Sequence, residues 1–231
     1  MAGTAVAKET FDRPFGDLLA DSVLLLRNAE RETEDEYFYG ALSRASLVAS
    51  LFLLEAVANT CIESLALASA AFGEIDRLPV LAKYDLYIRT KFRRRRLDRG
   101  ARAVQALREL KSLRDAYAHP KPQKVVWEEM SDDGLEAWPQ RTAVLKVPTN
   151  PHDWHSEDAI IVMRSVHGFL CHFFREQCRL RPKHVAGLLF SEDDIPVAER
   201  GTTQCFDRSI RADLKRWCVD VSYCRLYWLS W

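Results

Sequence analysis

Apolar positions recur at helical spacing over most of this chain, and the breaks between runs carry helix start and stop residues. Asp12 ahead of Pro14 predicts a first helix over about 14–32, because proline is tolerated in the first turn. The segment from about 36 to 72, dominated by ALSRASLVASLFLLEAVANTCIESLALASAAF, is apolar nearly all round. That predicts a central, buried helix with Gly73 as its C-terminal cap. Asp76 and Pro79 open a third helix to about 92, and Asp98 caps a fourth over about 99–118, which PKPQ ends. The pattern then changes: KVVWEEM, a turn at SDDG, and RTAVLKV predict a small hairpin. Ser156, with Glu157 and Asp158, starts a fifth helix to about 179, stopped at Arg181–Pro182. Beyond it come a short helix at about 183–190, an irregular acidic link and the aromatic tail RWCVDVSYCRLYWLSW. The expected fold is mainly α: a bundle of four to five helices over 12–181, a hairpin insertion at about 123–148, and a C-terminal extension over 182–231 packed on the bundle or on a partner.

With 231 residues, 48% of them apolar, the chain can build a sizeable core. The stretch Leu47 to Ala71 is interrupted by Glu55, Asn59 and Glu63, so no membrane span is expected. The first residues lack a signal-peptide pattern. Six cysteines without a CxxC pair read as reduced thiols in a cytoplasmic protein. Net charge is zero but segregated: 14 Lys/Arg against 4 Asp/Glu from Lys83 to Lys124, and 9 acids against 3 arginines from Glu9 to Tyr39. Arginine outnumbers lysine 24 to 9, which suits phosphate recognition and equally a GC-rich genome.

The fourth helix ends in LRDAYAHPK, Leu113 to Lys121. On a wheel of about 100° per residue with Ala103 at zero, Leu107 falls near ~40°, Leu110 near ~−20°, Tyr117 near ~−40° and Arg114 near ~20°. Arg114 therefore sits within the apolar stripe, where a permanent cation needs an acceptor or a cleft. It snorkels or pairs with Asp115, Glu109 or Glu55, or it binds an anion. His119 would point about 140° away in an unbroken helix. Pro120 disfavours helical angles at the residue before it, so His119 is pushed to an extended conformation and can fold back towards Arg114. Arginine binds phosphate by two parallel hydrogen bonds and histidine moves protons near neutral pH, a pair suited to phosphodiester chemistry. His119 alone is also a favourable helix C-terminal residue.

LRDAYAHP in an all-helical chain, after a long apolar helix bearing LEAVANTCIESL, resembles the HEPN superfamily, whose signature is Arg, four to six residues, then His at the end of a late helix. The resemblance covers about residues 15–180. It implies a metal-independent endoribonuclease of toxin–antitoxin, CRISPR-linked or antiphage systems, with no cofactor. It also implies a homodimer in which two Arg–His pairs form one site, and an antitoxin or other defence protein as partner. Arg114 and His119 would be the catalytic pair, Asp115 an orienting residue. The implied reaction is attack of the ribose 2′-hydroxyl on the adjacent phosphate, leaving a 2′,3′-cyclic phosphate and a 5′-hydroxyl, with DNA resistant. Some members carry a modified tyrosine two residues after the histidine; here Lys121 stands there.

Glu55 and Asn59, in the apolar helix, are candidates to position Arg114 or to form a structural polar cluster. Lys91, Arg93, Arg94, Arg95, Arg96, Arg99 and Lys121 form a candidate RNA-backbone track, or a solvated loop, or a dock for an acidic partner. His167, Cys171, His172 and Cys178 include one i, i+4 pair but no second pair at ligand spacing, so no metal site is expected. No GxSxG elbow, P-loop or dinucleotide fingerprint is present. Three function classes remain: a ribonuclease, the same fold holding RNA or protein without turnover, and a structural helical subunit.

Overall fold

The computed structural model describes residues 13–32, 34–122, 127–130, 134–137, 139–190 and 205–229. Among the described residues the fold is mainly α, with eight α-helices and four short strands. The first, α1 (Phe15–Arg31), buries Phe15, Leu19, Val23, Leu26 and Ala29 along one stripe. The second, α2 (Glu36–Glu63), starts where the Asp35 carboxylate accepts from the Phe38 amide at 2.9 Å. It is the hub, packed on α1, on α4 (Val80–Lys91), on α5 (Arg102–Ala118) and on α6 (Ser156–Cys171). Its small residues meet α1 closely: Ser46 Oγ donates to the Ser22 carbonyl at 2.7 Å. By length and composition alone α2 could cross a membrane, despite Glu55 and Glu63, but 72% of its most apolar window is buried in the bundle.

Three boundaries differ from expectation. α2 stops at Glu63, and a separate short helix, α3 (Ser69–Asp76), follows. The stop is made by Ala66 in the left-handed region (φ 49°), with Leu65 and Ala66 amides closing on the Ile62 and Glu63 carbonyls. Gly73, expected as the cap, lies inside α3. Asp98 does not cap α5: its carboxylate closes a turn on the Gly100 amide, and Ala101 takes the cap position. The hairpin pairs β1 (Trp127–Met130) antiparallel with β2 (Gly134–Ala137), not with RTAVLKV, which turns back on itself through Thr142 and Val147. That segment is held instead by Glu109 of α5, whose carboxylate accepts from the Val144 and Leu145 amides, each at 2.8 Å.

α6 begins at Ser156, as expected, with His155 as its cap and the Asp158 carboxylate accepting the His155 amide at 3.1 Å. It ends in one π turn, His172–Gln177. Aromatic residues from distant parts of the chain meet there: Tyr84 packs edge-on against Phe169 and Phe173, at 4.9 and 4.7 Å. The Tyr84 hydroxyl, fully buried, donates to the Leu54 carbonyl at 2.8 Å. Tyr84→Phe keeps the ring and removes that bond, so it is expected to lower stability by about 1 kcal/mol. An unchanged denaturation midpoint would count against that bond.

The short α7 (Pro182–Leu189) and then α8 (Arg208–Arg216) complete the helices. α8 docks on α1 through Arg27–Asp213 at 2.5 Å and Arg216–Glu30 at 2.5 Å. Trp217 is 3% exposed and donates its indole N–H to Glu30 at 2.9 Å. Two short parallel strands, β3 (Cys205–Phe206) and β4 (Tyr227–Trp228), fasten the segment after α8. The acidic link and Trp231 lie outside the described residues.

Candidate active site

The end of α5 is shaped by its terminal residues. Val104, Leu107, Leu110 and Leu113 are buried and hold the helix against α2 and α6. Pro120 cannot extend the ladder, and His119 leaves the helical region at φ −131°, ψ 67°. Its amide still closes on the Asp115 carbonyl at 2.9 Å.

Arg114 is a quarter exposed. One guanidinium nitrogen lies 3.6 Å from Glu55 Oε1, across the helix interface on α2, and another 3.3 Å from Asp115 Oδ1. Asp115 is itself held by Lys111, one turn earlier. Ion pairs this exposed contribute about 0–1 kcal/mol each. The network is thus a small source of stability; its effect is to aim a guanidinium that keeps donors open to solvent. Lys111 falls outside the residues singled out from the sequence, although its i, i+4 spacing to Asp115 marks it. The second unforeseen element is Tyr117: 42% exposed, it stacks on the buried Trp154 ring at 5.9 Å and 15°. Trp154 is fixed in turn by its N–H to the Pro148 carbonyl at 2.8 Å.

Arg114, Asp115 and Glu55 therefore come together, and His119 stands exposed at the end of the same helix. No side chain among the described residues hydrogen-bonds the His119 ring. Asn59 lies elsewhere: its carbonyl oxygen accepts from the buried Lys83 ammonium at 2.6 Å, which also meets Asp76 at 3.2 Å. Asn59 and Glu55 nevertheless line one groove with Phe52 and Thr60.

The basic segment divides in two. Lys91, Arg93, Arg94, Arg96 and Lys121 are exposed. Arg95 is turned inward, donating to the Gln177 and Cys178 carbonyls at 3.0 and 2.7 Å and closing the open end of the π turn. Arg99 lies 3.6 Å from Asp85. Burial pushes the Asp85 carboxyl up, but hydrogen bonds from Arg89 and the Leu97 amide, with the Arg89 and Arg99 charges, bring it below its ordinary value. Arg95 and Arg99 thus have structural partners that the run of like charges did not announce.

The histidine and cysteine candidates for a metal are dispersed. His167 Nδ1 pairs with the Tyr223 hydroxyl at 2.8 Å, Cys171 faces Asp220 at 3.5 Å, and His172 bonds Glu176 and Gln177. Among the described residues no three His, Cys, Asp or Glu side chains gather as a ligand set. Burial raises the Cys178 thiol to about 12, against a lowering by Arg95, so that thiol stays protonated. Comparison of the chain with known protein families, curated proteins and solved structures finds no match.

Proposed function

We propose that this chain is an endoribonuclease that cleaves RNA by 2′-hydroxyl transesterification, working as a homodimer with Arg114 and His119 as its reacting groups. The observation that carries the reading is the Glu55–Arg114–Asp115 network: a guanidinium aimed by two carboxylates, partly open to solvent, one turn before a histidine that proline has released from the helix. Glu55 and Asp115 are positioning residues, and the guanidinium is the group for the phosphoryl oxygens. In the reaction the 2′-oxygen forms a bond to phosphorus and the bond to the 5′-oxygen breaks. One neutral imidazole takes the 2′-proton and one protonated imidazole gives a proton to the leaving oxygen, two roles that two copies of His119 would fill. The exposed Lys91, Arg93, Arg94, Arg96 and Lys121 would track the RNA backbone. The resemblance to HEPN effectors suggests a role in a toxin–antitoxin or antiphage system, restrained by a partner protein.

Purified protein incubated with tRNA and mRNA in chelator is expected to yield 2′,3′-cyclic phosphate and 5′-hydroxyl ends and to leave DNA intact. Products with 5′-phosphate ends, or no cleavage, would overturn the mechanism. A second reading, an RNA-holding module without turnover, draws support from the His119 ring, which no neighbour among the described residues orients. RNA bound at micromolar concentration and never cut would establish it.

A further inference from the structure

The C-terminal extension carries a concavity that the proposed cleavage centre does not use. It measures about 540 Å³ and lies between α8, Pro182 at the start of α7, and the segment 219–228. Leu214, Val219, Val221 and the Trp228 ring line it, and three cations stand around them: Arg211, Lys215 and Arg225. None of the three has a carboxylate within ion-pair distance among the described residues. Asp220, the acid in the lining, is engaged, accepting from the Ser222 amide at 2.8 Å and facing Cys171 at 3.5 Å.

α8 therefore sorts its charges. Asp213 and Arg216 face α1, paired with Arg27 and Glu30. Arg211 and Lys215, one turn apart and side by side, are left over the concavity. A chain with 33 basic and 33 acidic residues has no overall surplus to scatter, so three cations around one hollow, without a carboxylate partner among the described residues, are a local arrangement. Two of them are also set against aromatic faces: Arg211 lies 5.8 Å from the Trp228 ring centre and Arg225 5.0 Å from that of Tyr227. The walls are anchored by the β3–β4 pairing, by Leu214 and Cys224 in the core, and by the Arg225 amide on the Pro182 carbonyl at 3.2 Å.

We infer that this concavity binds single-stranded RNA, with Arg211, Lys215 and Arg225 on the phosphates and a base against the Trp228 face. Alternating cations and aromatic faces over an apolar floor is the combination that holds single strands without sequence preference. The choice of RNA among polyanions rests on the proposed ribonuclease activity, and the groove would hold the substrate away from the cleavage centre.

The test uses the full chain and a labelled, single-stranded 2′-O-methyl oligoribonucleotide, which cannot be cut, with affinity followed against salt. Neutralising all three cations (Arg211→Gln, Lys215→Gln, Arg225→Gln) is expected to weaken binding at least tenfold. It should also flatten the log–log salt slope by about 2, because each phosphate neutralised on a single strand adds about 0.7 to that slope. Lys215→Gln alone, which leaves both cation–ring pairs in place, should remove about 0.7 of the slope. Lys146→Gln, an exposed lysine far along the chain, should change nothing. Unchanged affinity and slope in the Lys215→Gln and triple variants would overturn the inference, as would loss of binding to phosphatidylserine vesicles with RNA binding intact. Cleavage of unmodified RNA is read separately. RNA held with the full slope but never cut removes the ribonuclease reading and leaves the groove, whereas RNA cut by an enzyme whose groove variants bind as well as wild type removes the groove alone.

Discussion

Arg114→Ala is expected to lower RNA cleavage about 10²–10³-fold, the usual cost of deleting one charge-stabilising donor from a reaction of this kind. The fold should survive, because the deleted ion pairs are a quarter to a third exposed and contribute about 0–1 kcal/mol each. Arg114→Lys keeps the charge but not the planar fork, so it should recover only part of the rate. His119→Ala should cost about 10²–10⁴-fold, the range for a positioned proton-transfer group. Its side chain is exposed and has no hydrogen-bond partner among the described residues, so its removal should leave the thermal midpoint where it was. Glu55→Gln separates aiming from binding: it keeps the shape of the side chain, and it should reduce the maximal rate while RNA affinity stays within a few-fold. Each variant is checked by single-turnover cleavage beside a melting curve. Full activity in both alanine variants would remove Arg114 and His119 from the chemistry and with them the proposed function.

Much of the helical ladder is readable from local residues. Pro14, Asp35, Pro79 and Pro120 act on the angles of their own neighbourhood, so the ends they mark, near residues 15, 36, 80 and 118, can be placed without knowing the tertiary structure. What misleads is any stop whose cause is not the residue type that normally carries it. The break after Glu63 is made by an alanine in the left-handed region, while the nearest glycine lies ten residues on, inside a helix. RTAVLKV reads as a strand, yet two amides of that segment are taken by Glu109, which lies more than thirty residues earlier. The same division holds at the site. Arg114 among apolar neighbours is visible from the wheel, and its pairing with Glu55 follows from a long helix packed across it. The diversion of Asn59 to Lys83 is not visible, because Lys83 is a buried ammonium that a run of exposed cations hides. Arg95 is concealed in the same way: within KFRRRRLDRG no local signal tells the arginine that caps a π turn from its neighbours.

Acid is expected to loosen the C-terminal extension well before the carboxylates titrate, and His167 is the reason. Its ring is fully buried between α6 and the tail, paired with the Tyr223 hydroxyl at 2.8 Å, and Phe174 stacks on the Tyr223 ring at 6.0 Å. Burial lowers its pKa to about 4, and the nearby Asp220 charge offsets only part of that. Burial also raises the Tyr223 hydroxyl far above its ordinary value, so the phenol keeps its proton throughout. An unfolded histidine titrates near about 6.5. The folded state therefore binds this proton more weakly than the unfolded one. The contribution is complete above about pH 6.5, is lost progressively as pH falls towards about 4, and changes no further below that. The difference between the two values corresponds to about 3 kcal/mol, a large fraction of the stability of a domain this size. Urea midpoints measured at pH 7, 5.5 and 4.5 should fall steeply for the wild type. His167→Gln keeps a polar group beside Tyr223 and removes the titration, so its midpoint should start lower and vary much less over the same interval. Equal slopes in the two proteins would assign the acid sensitivity to other groups. A shallower slope in the variant, together with slower tail exchange at pH 4.5, would locate the proton at the joint between the bundle and the extension.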